Sequence, residues 1–259
     1  FNPLTLSGAR YLLASLVLLF FTGKMRFPAR KDWGWFLLSG SLGFSIYMVL
    51  FNTGSATVSA ATTSVIIALT PVVAALLARF FYKETLQLHQ WLALAVCFFG
   101  VVVLTAMEGG FGGGTGLYWL FGAVLCVSVY NILQRKLTRT YTALEATTYS
   151  IFVGTIGLSL WIPEGVSALV IAPVNQWVNI LILSVGCSAI GYVFWSKALA
   201  ITPKTSTVTN YMFLLPFLAA LGGYFIAGEV VTTGTFVGGC IILLGLAIFN
   251  FGGHFHHKS

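Results

Sequence analysis

Charge is what this sequence has least of: among 259 residues, 13 are Lys or Arg and 6 are Asp or Glu, 7% in all. Soluble domains run at roughly a quarter, and nineteen charges cannot cover a surface of this size in water, so a water-soluble globule is excluded. The single aspartate, Asp32, lies between apolar runs, and no Asp or Glu falls in the middle of one. An intramembrane aspartyl enzyme needs two such carboxylates and a carboxylate proton relay needs at least one, so neither has residues to work with. The histidines, His89, His254, His256 and His257, sit at the ends of apolar runs, which leaves no buried Ser/His pair and no enzyme. The four cysteines fall in four different apolar runs with neither a CxxC nor metal-ligand spacing. They read as free packing thiols, and no metal or cofactor is expected. The net charge of +7 comes from small scattered clusters rather than a basic stripe, which argues against nucleic acid. Charged-ring and carbonyl-filter sequences of a channel are missing too.

What fills the chain instead is apolar: 58% of residues are hydrophobic. A helical crossing takes about 20 residues. With Gly, Pro, Asn and Ser clusters as breakers, helices are predicted near 5–22, 33–53, 58–80, 88–107, 116–134, 143–162, 178–197, 205–227 and 232–251. Runs such as Val65 to Leu69 and Leu92 to Val96 are apolar at every position, unlike the alternating segments of a membrane barrel. The fold class is all-α integral membrane, with the lipid bilayer as solvent.

Lys and Arg avoid translocated loops. Lys24, Arg26, Arg30 and Lys31 follow the first helix, Arg79 and Lys83 the third, Arg135, Lys136 and Arg139 the fifth, and Lys197 and Lys204 the seventh, with Lys258 in the tail. The intervening loops have none. Twelve of the thirteen basic residues therefore share one side, which places the odd loops and the C-terminus in the cytoplasm.

A shift of 145 residues superposes the two halves: Pro71 on Pro216, Glu84 on Glu229, Gly100 on Gly245, Tyr47 on Tyr192, and Ala74-Ala75-Leu76 on Ala219-Ala220-Leu221. The charge rule puts Glu84 inside and Glu229 outside, so the copies cross the membrane in opposite senses. Inverted repeats of this kind build secondary transporters, in which two bundles rock about a midplane site. The helix at 116–134 has its repeat partner before Phe1, which implies a further helix ahead of this chain and ten in all.

Ala61 to Thr105 carries Thr70-Pro71, Ala74, Ala75, Lys83-Glu84-Thr85-Leu86 and Gly100; Leu214 to Asn250 carries Pro216, Gly228-Glu229 and Gly245. These segments resemble the closing half of an EamA domain. Gly116-Leu117-Tyr118-Trp119 through Tyr130 and Arg135-Lys136 resembles the opening half, and Pro3-Leu4 through Arg10 looks like the start of that family's second helix. One departure is Gly-Glu-Val-Val at 228–231, where the family favours an Arg or Lys shortly after the Glu. The chain is thus similar to the drug/metabolite transporter superfamily. The resemblance implies a 5+5 inverted repeat, nine of whose ten helices lie in this chain, exporting a small metabolite such as an amino acid across a bacterial inner (plasma) membrane. It divides the chain into a first EamA-like repeat at 1–107, a Gly-rich linker at 108–115, a second repeat at 116–251 and a cytoplasmic tail at 252–259. A non-transporting receptor or a channel-like facilitator is the competing reading.

Polar groups inside the spans supply the candidate site. The resemblance places the helices bearing Tyr47, Tyr130, Asn131, Tyr192, Trp195, Asn210 and Tyr211 around a central cavity. Together they suggest an uncharged, aromatic-lined pocket for an amphipathic or cationic small molecule. Packing between helices is the competing role for each. Pro71 and Pro216, read as mid-helix kinks, and Arg10, about one turn inside its span, are the candidates for hinge and gating, against a static bend and a snorkelling cation respectively. Glu84 and Glu229 are read as carboxylates set against helix N-termini.

Overall fold

The computed structural model describes residues 2–20, 25–58, 60–108, 115–222 and 233–251, all but the connecting turns helical. The expectations for Lys24, Glu229 and the tail beyond Phe251 lie outside these residues. Helix α1 (Pro3–Leu19) opens as its sequence dictates, with the Asn2 side chain accepting from the Leu4 N–H and Pro3 in the first turn. The second expected span is one bent rod, α2 (Trp33–Gly40), a π-helical stretch (Ser41–Ile46) and α3 (Tyr47–Ser55). Then come α4 (Ala60–Ile67), α5 (Thr70–Tyr82), α6 (Leu88–Glu108) and α7 (Gly116–Leu137). Helix α8 (Ala143–Gly157) begins on a capping box, Thr142 and Glu145 bonding each other's backbone N–H at 3.2 and 2.8 Å.

The expected end of that span at 162 is corrected. The chain bends by 62° after Gly157 and continues as α9 (Ile162–Val170), where Pro163 in the first turn starts a new helix at no cost in hydrogen bonds. The seventh span is again a rod with a π-helical centre: α10 (Val174–Leu181), Ile182–Gly191, and α11 (Tyr192–Ile201). Last come α12 (Thr205–Thr209), a 3-10 turn (Asn210–Phe213), α13 (Leu214–Gly222) and α14 (Thr233–Phe251). Among the described residues five spans are long and apolar enough to cross a membrane, or six with the bent α8–α9 pair, so the chain is an integral membrane protein.

The prolines do not kink continuous helices. Pro71 is the second residue of α5 and Pro216 the third of α13, first-turn positions where no backbone N–H is needed. In both copies the regular helix is interrupted just upstream, at Ala68–Leu69 and at Asn210–Phe213, where a proline offers no N–H to the carbonyl four residues back and its ring crowds it.

The chain forms two compact units, residues 1–52 with 129–203 and residues 53–128 with 204–259, each drawn from both sequence halves. In the first, α8 runs through the middle, burying Thr147, Thr148, Ser150 and Ile151 together. The segment after α1 is clasped to the α7–α8 turn: the Arg26 N–H bonds Glu145 at 2.8 Å, and Tyr141 donates to Asp32 at 2.7 Å while accepting from the Ala29 N–H at 3.0 Å. Burial, then the bond to Asp32, pushes the Tyr141 phenol above its ordinary range. Two of the basic loops thus touch.

The second unit is built on α6 and α14. Gly100 lies where a Cβ would sit 2.9 Å from the Ile242 nitrogen, and Gly245 where one would sit 2.9 Å from the Cys97 nitrogen. A shift of 145 turns one contact into the other, so each copy supplies the glycine that admits its partner's backbone. Cys97 donates to the Ile242 carbonyl at the same crossing, 3.6 Å. All four cysteines are free thiols. Helix α5 ends on Lys83, held left-handed at φ 53°. That turn delivers Glu84 to the start of α12, where its carboxylate accepts from the Thr205 N–H (2.7 Å) and from the Ser206 N–H and hydroxyl (3.3 and 3.2 Å). The reading of Glu84 as a partner for a helix N-terminus is right in kind. The helix it caps, however, starts 121 residues further along the chain.

Candidate functional site

Tyr47 and Tyr192 are repeat partners, and each is the first residue after a π-helical stretch. Shifted by 145, the first stretch falls within the second, so the same irregularity occurs in both copies. π-Helical turns displace side chains from their usual register and recur at functional sites. Both tyrosines belong to the first unit and keep part of their surface accessible.

Phe44, buried within the first π-helical stretch, is the centre of an edge-to-face aromatic group. Its ring lies 5.2 Å from Tyr11, 5.3 Å from Tyr130 and 5.0 Å from Tyr192, and Tyr130 and Tyr192 lie 6.1 Å apart. Tyr130 fits against Gly43, whose missing Cβ leaves room for the ring. Tyr47 instead stacks on Phe51 at 5.7 Å. One helical position on from Tyr130, Asn131 is 1% exposed and accepts from the indole N–H of half-buried Trp195 at 2.7 Å. A short amide–indole bond of this kind fixes both side chains against the bundle.

Behind these rings lies a polar layer. The Gln134 amide donates to the Ser39 and Ser150 hydroxyls at 3.2 and 3.1 Å, Ser150 also bonds Ser39 at 3.0 Å, and Thr147 bonds Ser196 at 2.7 Å. Each of these side chains is fully buried. Sequence reasoning passed over Gln134; the available signal was an amide one turn after Asn131 in an apolar helix, which must find partners.

Arg10 changes the electrostatics. Its guanidinium donates to the Tyr11 hydroxyl at 2.7 Å, and the Tyr11 ring packs on Phe44, which also meets Tyr192. A cation thus lies in the same unit as Tyr47 and Tyr192, 4.6 Å from the Tyr11 ring centroid.

The two remaining candidates fall in the second unit. Asn210 opens the 3-10 turn between α12 and α13, is 0% exposed, and has neither its amide nitrogen nor its oxygen hydrogen-bonded. Unpaired buried amides cost about 1–3 kcal/mol. Tyr211 is 47% exposed, its hydroxyl accepting from Asn250 at 3.3 Å. The structure thus gathers Tyr47, Tyr130, Asn131, Tyr192, Trp195 and Arg10 in one unit, and holds Asn210, Tyr211, Pro71 and Pro216 in the other. Among the described residues no group of His, Cys, Asp and Glu could hold a metal.

Known proteins resemble the chain along nearly its whole length. The profile of the EamA-like transporter family matches residues 1–106 and 114–251. A probable terminal-alkyne amino-acid exporter of Streptantibioticus cattleyicolor is 32% identical over 95% of this chain and 83% of its own. A probable amino-acid metabolite efflux pump of Salmonella typhimurium is 23% identical over 96% and 86%. A crystal structure of a protein 16% identical to this one matches its fold with a TM-score of 0.81, over 100% of this chain and 90% of the other.

Proposed function

Since the chain belongs to the EamA-like transporter family and is no enzyme, we propose that it exports an amino-acid-class metabolite across the bacterial inner membrane by alternating access. Tyr47, Tyr130, Asn131, Tyr192, Trp195, Asn210 and Tyr211 are its substrate contacts, and Pro71 and Pro216 are its hinges. The substrate class rests on the relatives, two of which are named as amino-acid or amino-acid-metabolite exporters. The single observation that carries the site is the pairing of Asn131 with Trp195 beside the Tyr130 and Tyr192 rings, polar groups whose burial needs a reason.

A 5+5 inverted-repeat architecture is part of the same proposal. Three observations support it: the reciprocal glycine contacts of α6 and α14, the π-helical stretches at matching positions, and the broken helices ahead of matching prolines. Contacts between loops support the assignment of sides. The basic segment after α1 meets the α7–α8 turn, Lys204 bonds the Thr85 carbonyl at 2.7 Å, and the charge-free Thr57 packs on Gly116.

The test is tolerance of an exporter-deficient bacterium to toxic amino-acid analogues. Expression of this protein raises tolerance, and Trp195→Ala removes most of that gain while the purified variant melts within a few degrees of wild type. A variant that melts far lower yet binds substrate normally assigns Trp195 to packing instead.

A further inference from the structure

Arg10 is the eighth residue of α1, so with a rise of 1.5 Å per residue it stands about 10 Å along the axis from Pro3. Its guanidinium is engaged within the first unit. One terminal nitrogen is tied to the Tyr11 hydroxyl, the charge lies 4.6 Å from the Tyr11 ring centroid, and that fully buried ring packs edge-on against Phe44 at the centre of the aromatic group. The guanidinium is therefore held against the aromatic group in which Phe44 meets Tyr192 at 5.0 Å.

What it lacks is a counter-charge. Among the described residues no carboxylate pairs with Arg10, and its Nε is buried with no hydrogen bond. A cation taken out of water without an anion costs several kcal/mol, and a planar guanidinium with free donors matches a carboxylate in geometry as well as charge.

We infer that Arg10 is the anion-recognition residue of the site, taking the carboxylate of the transported molecule while the Tyr11 hydroxyl holds the guanidinium in place and Tyr47 and Tyr192 flank the ligand. The inference rests on the substrate-contact reading above and narrows it: the cargo carries a carboxylate, and a molecule bearing only a cation is refused. Tyr11 is a positioning residue, acting through Arg10 rather than on the ligand.

The experiment compares acids with their amides, which share shape and differ in charge. Purified full chain in phospholipid nanodiscs is titrated with phenylacetate against phenylacetamide and with L-leucine against L-leucinamide, and affinity is read from thermal shift. Wild type prefers each acid by about tenfold or more, the scale of one charge-assisted pair. Arg10→Gln abolishes the preference, Arg10→Lys keeps part of it, and Tyr11→Phe weakens it. Should Arg10→Gln fail to fold, modification of wild-type Arg10 by phenylglyoxal, read by mass spectrometry, serves instead: the acids protect the residue and the amides do not. Equal affinity for acid and amide in wild type, or a preference that survives in Arg10→Gln, overturns the inference. So does the behaviour of a lipid-phosphate anchor, in which Arg10→Gln lowers the melting temperature in phospholipid but not in maltoside micelles and no acid is preferred. Amino-acid export that continues undiminished in Arg10→Gln defeats this inference alone, whereas acid preference without export of any amino acid defeats the amino-acid reading and leaves Arg10 its role.

Discussion

Glu84 offers a sharp test of structure against mechanism, because a buried carboxylate in a transporter invites a role in proton coupling. It is 8% exposed, and its two oxygens accept three hydrogen bonds from the first residues of α12, the shortest 2.7 Å from the Thr205 N–H. That helix has no side-chain cap of its own, since Lys204 occupies the cap position. Without Glu84 the leading N–H groups of α12 are left buried and unpaired. Hydrogen bonds to a charged group contribute about 1.5–3 kcal/mol each but do not add fully, so Glu84→Ala costs about 3 kcal/mol, and Glu84→Gln, which keeps one acceptor, about half of that. At roughly 2–4 °C per kcal/mol for a chain of this size, scanning fluorimetry should record a fall of about 6–12 °C for the alanine variant. Ser206→Ala in the Glu84→Ala background should cost less than in wild type, since the pair is coupled. Transport by Glu84→Gln, measured below its lowered melting point, keeps the wild-type pH profile. A Glu84→Gln protein that melts like wild type but loses its pH dependence would refute the capping account and assign the carboxylate to coupling.

Three further outcomes follow from the packing. Gly100→Val and Gly245→Val each place a side chain against partner backbone that cannot yield, and should cost about 1–3 kcal/mol by amounts that agree, because their contacts are reciprocal; strongly unequal losses of melting temperature would count against the symmetry. Lys83→Gly removes a non-glycine residue from φ 53° at the position where the second copy carries Gly228; the melting temperature should hold or rise, the relief being about 1 kcal/mol before the entropy of glycine is set against it. The proposed hinge role of Pro71 and Pro216 predicts that Pro71→Ala and Pro216→Ala slow transport at near-normal binding; altered binding at unchanged rate would make the upstream break a fixed wall.

The helical spans were legible because hydropathy in lipid is written residue by residue: runs such as Leu88–Glu108 and Gly116–Leu137 fall within a few residues of their expected limits. Breaks were less so. Pro163 lies at an expected helix end, yet proline suits a first turn, and α9 starts there. The same property moved Pro71 and Pro216 from helix middle to helix start. The π-helical stretches before Tyr47 and Tyr192 left no mark in composition, because a one-residue change in hydrogen-bond register depends on neighbouring helices. Long-range partners were hidden altogether. That Glu84 caps α12, that Gln134 ties Ser39 to Ser150, and that the Arg10–Tyr11 pair packs on Phe44 are facts of three-dimensional adjacency. Polarity inside an apolar run marked these side chains as important, and only the fold shows what each one meets.

The most direct test of the account is transport itself. Inside-out membrane vesicles containing the protein are given a panel of radiolabelled amino acids, and accumulation is compared with vesicles containing Asn131→Ala, Trp195→Ala or Asn210→Ala. Saturable accumulation of at least one amino acid, lost by about tenfold or more in each variant that still melts near wild type, is the predicted result. No accumulation of any amino acid above empty vesicles, or accumulation unchanged in all three variants, would contradict it.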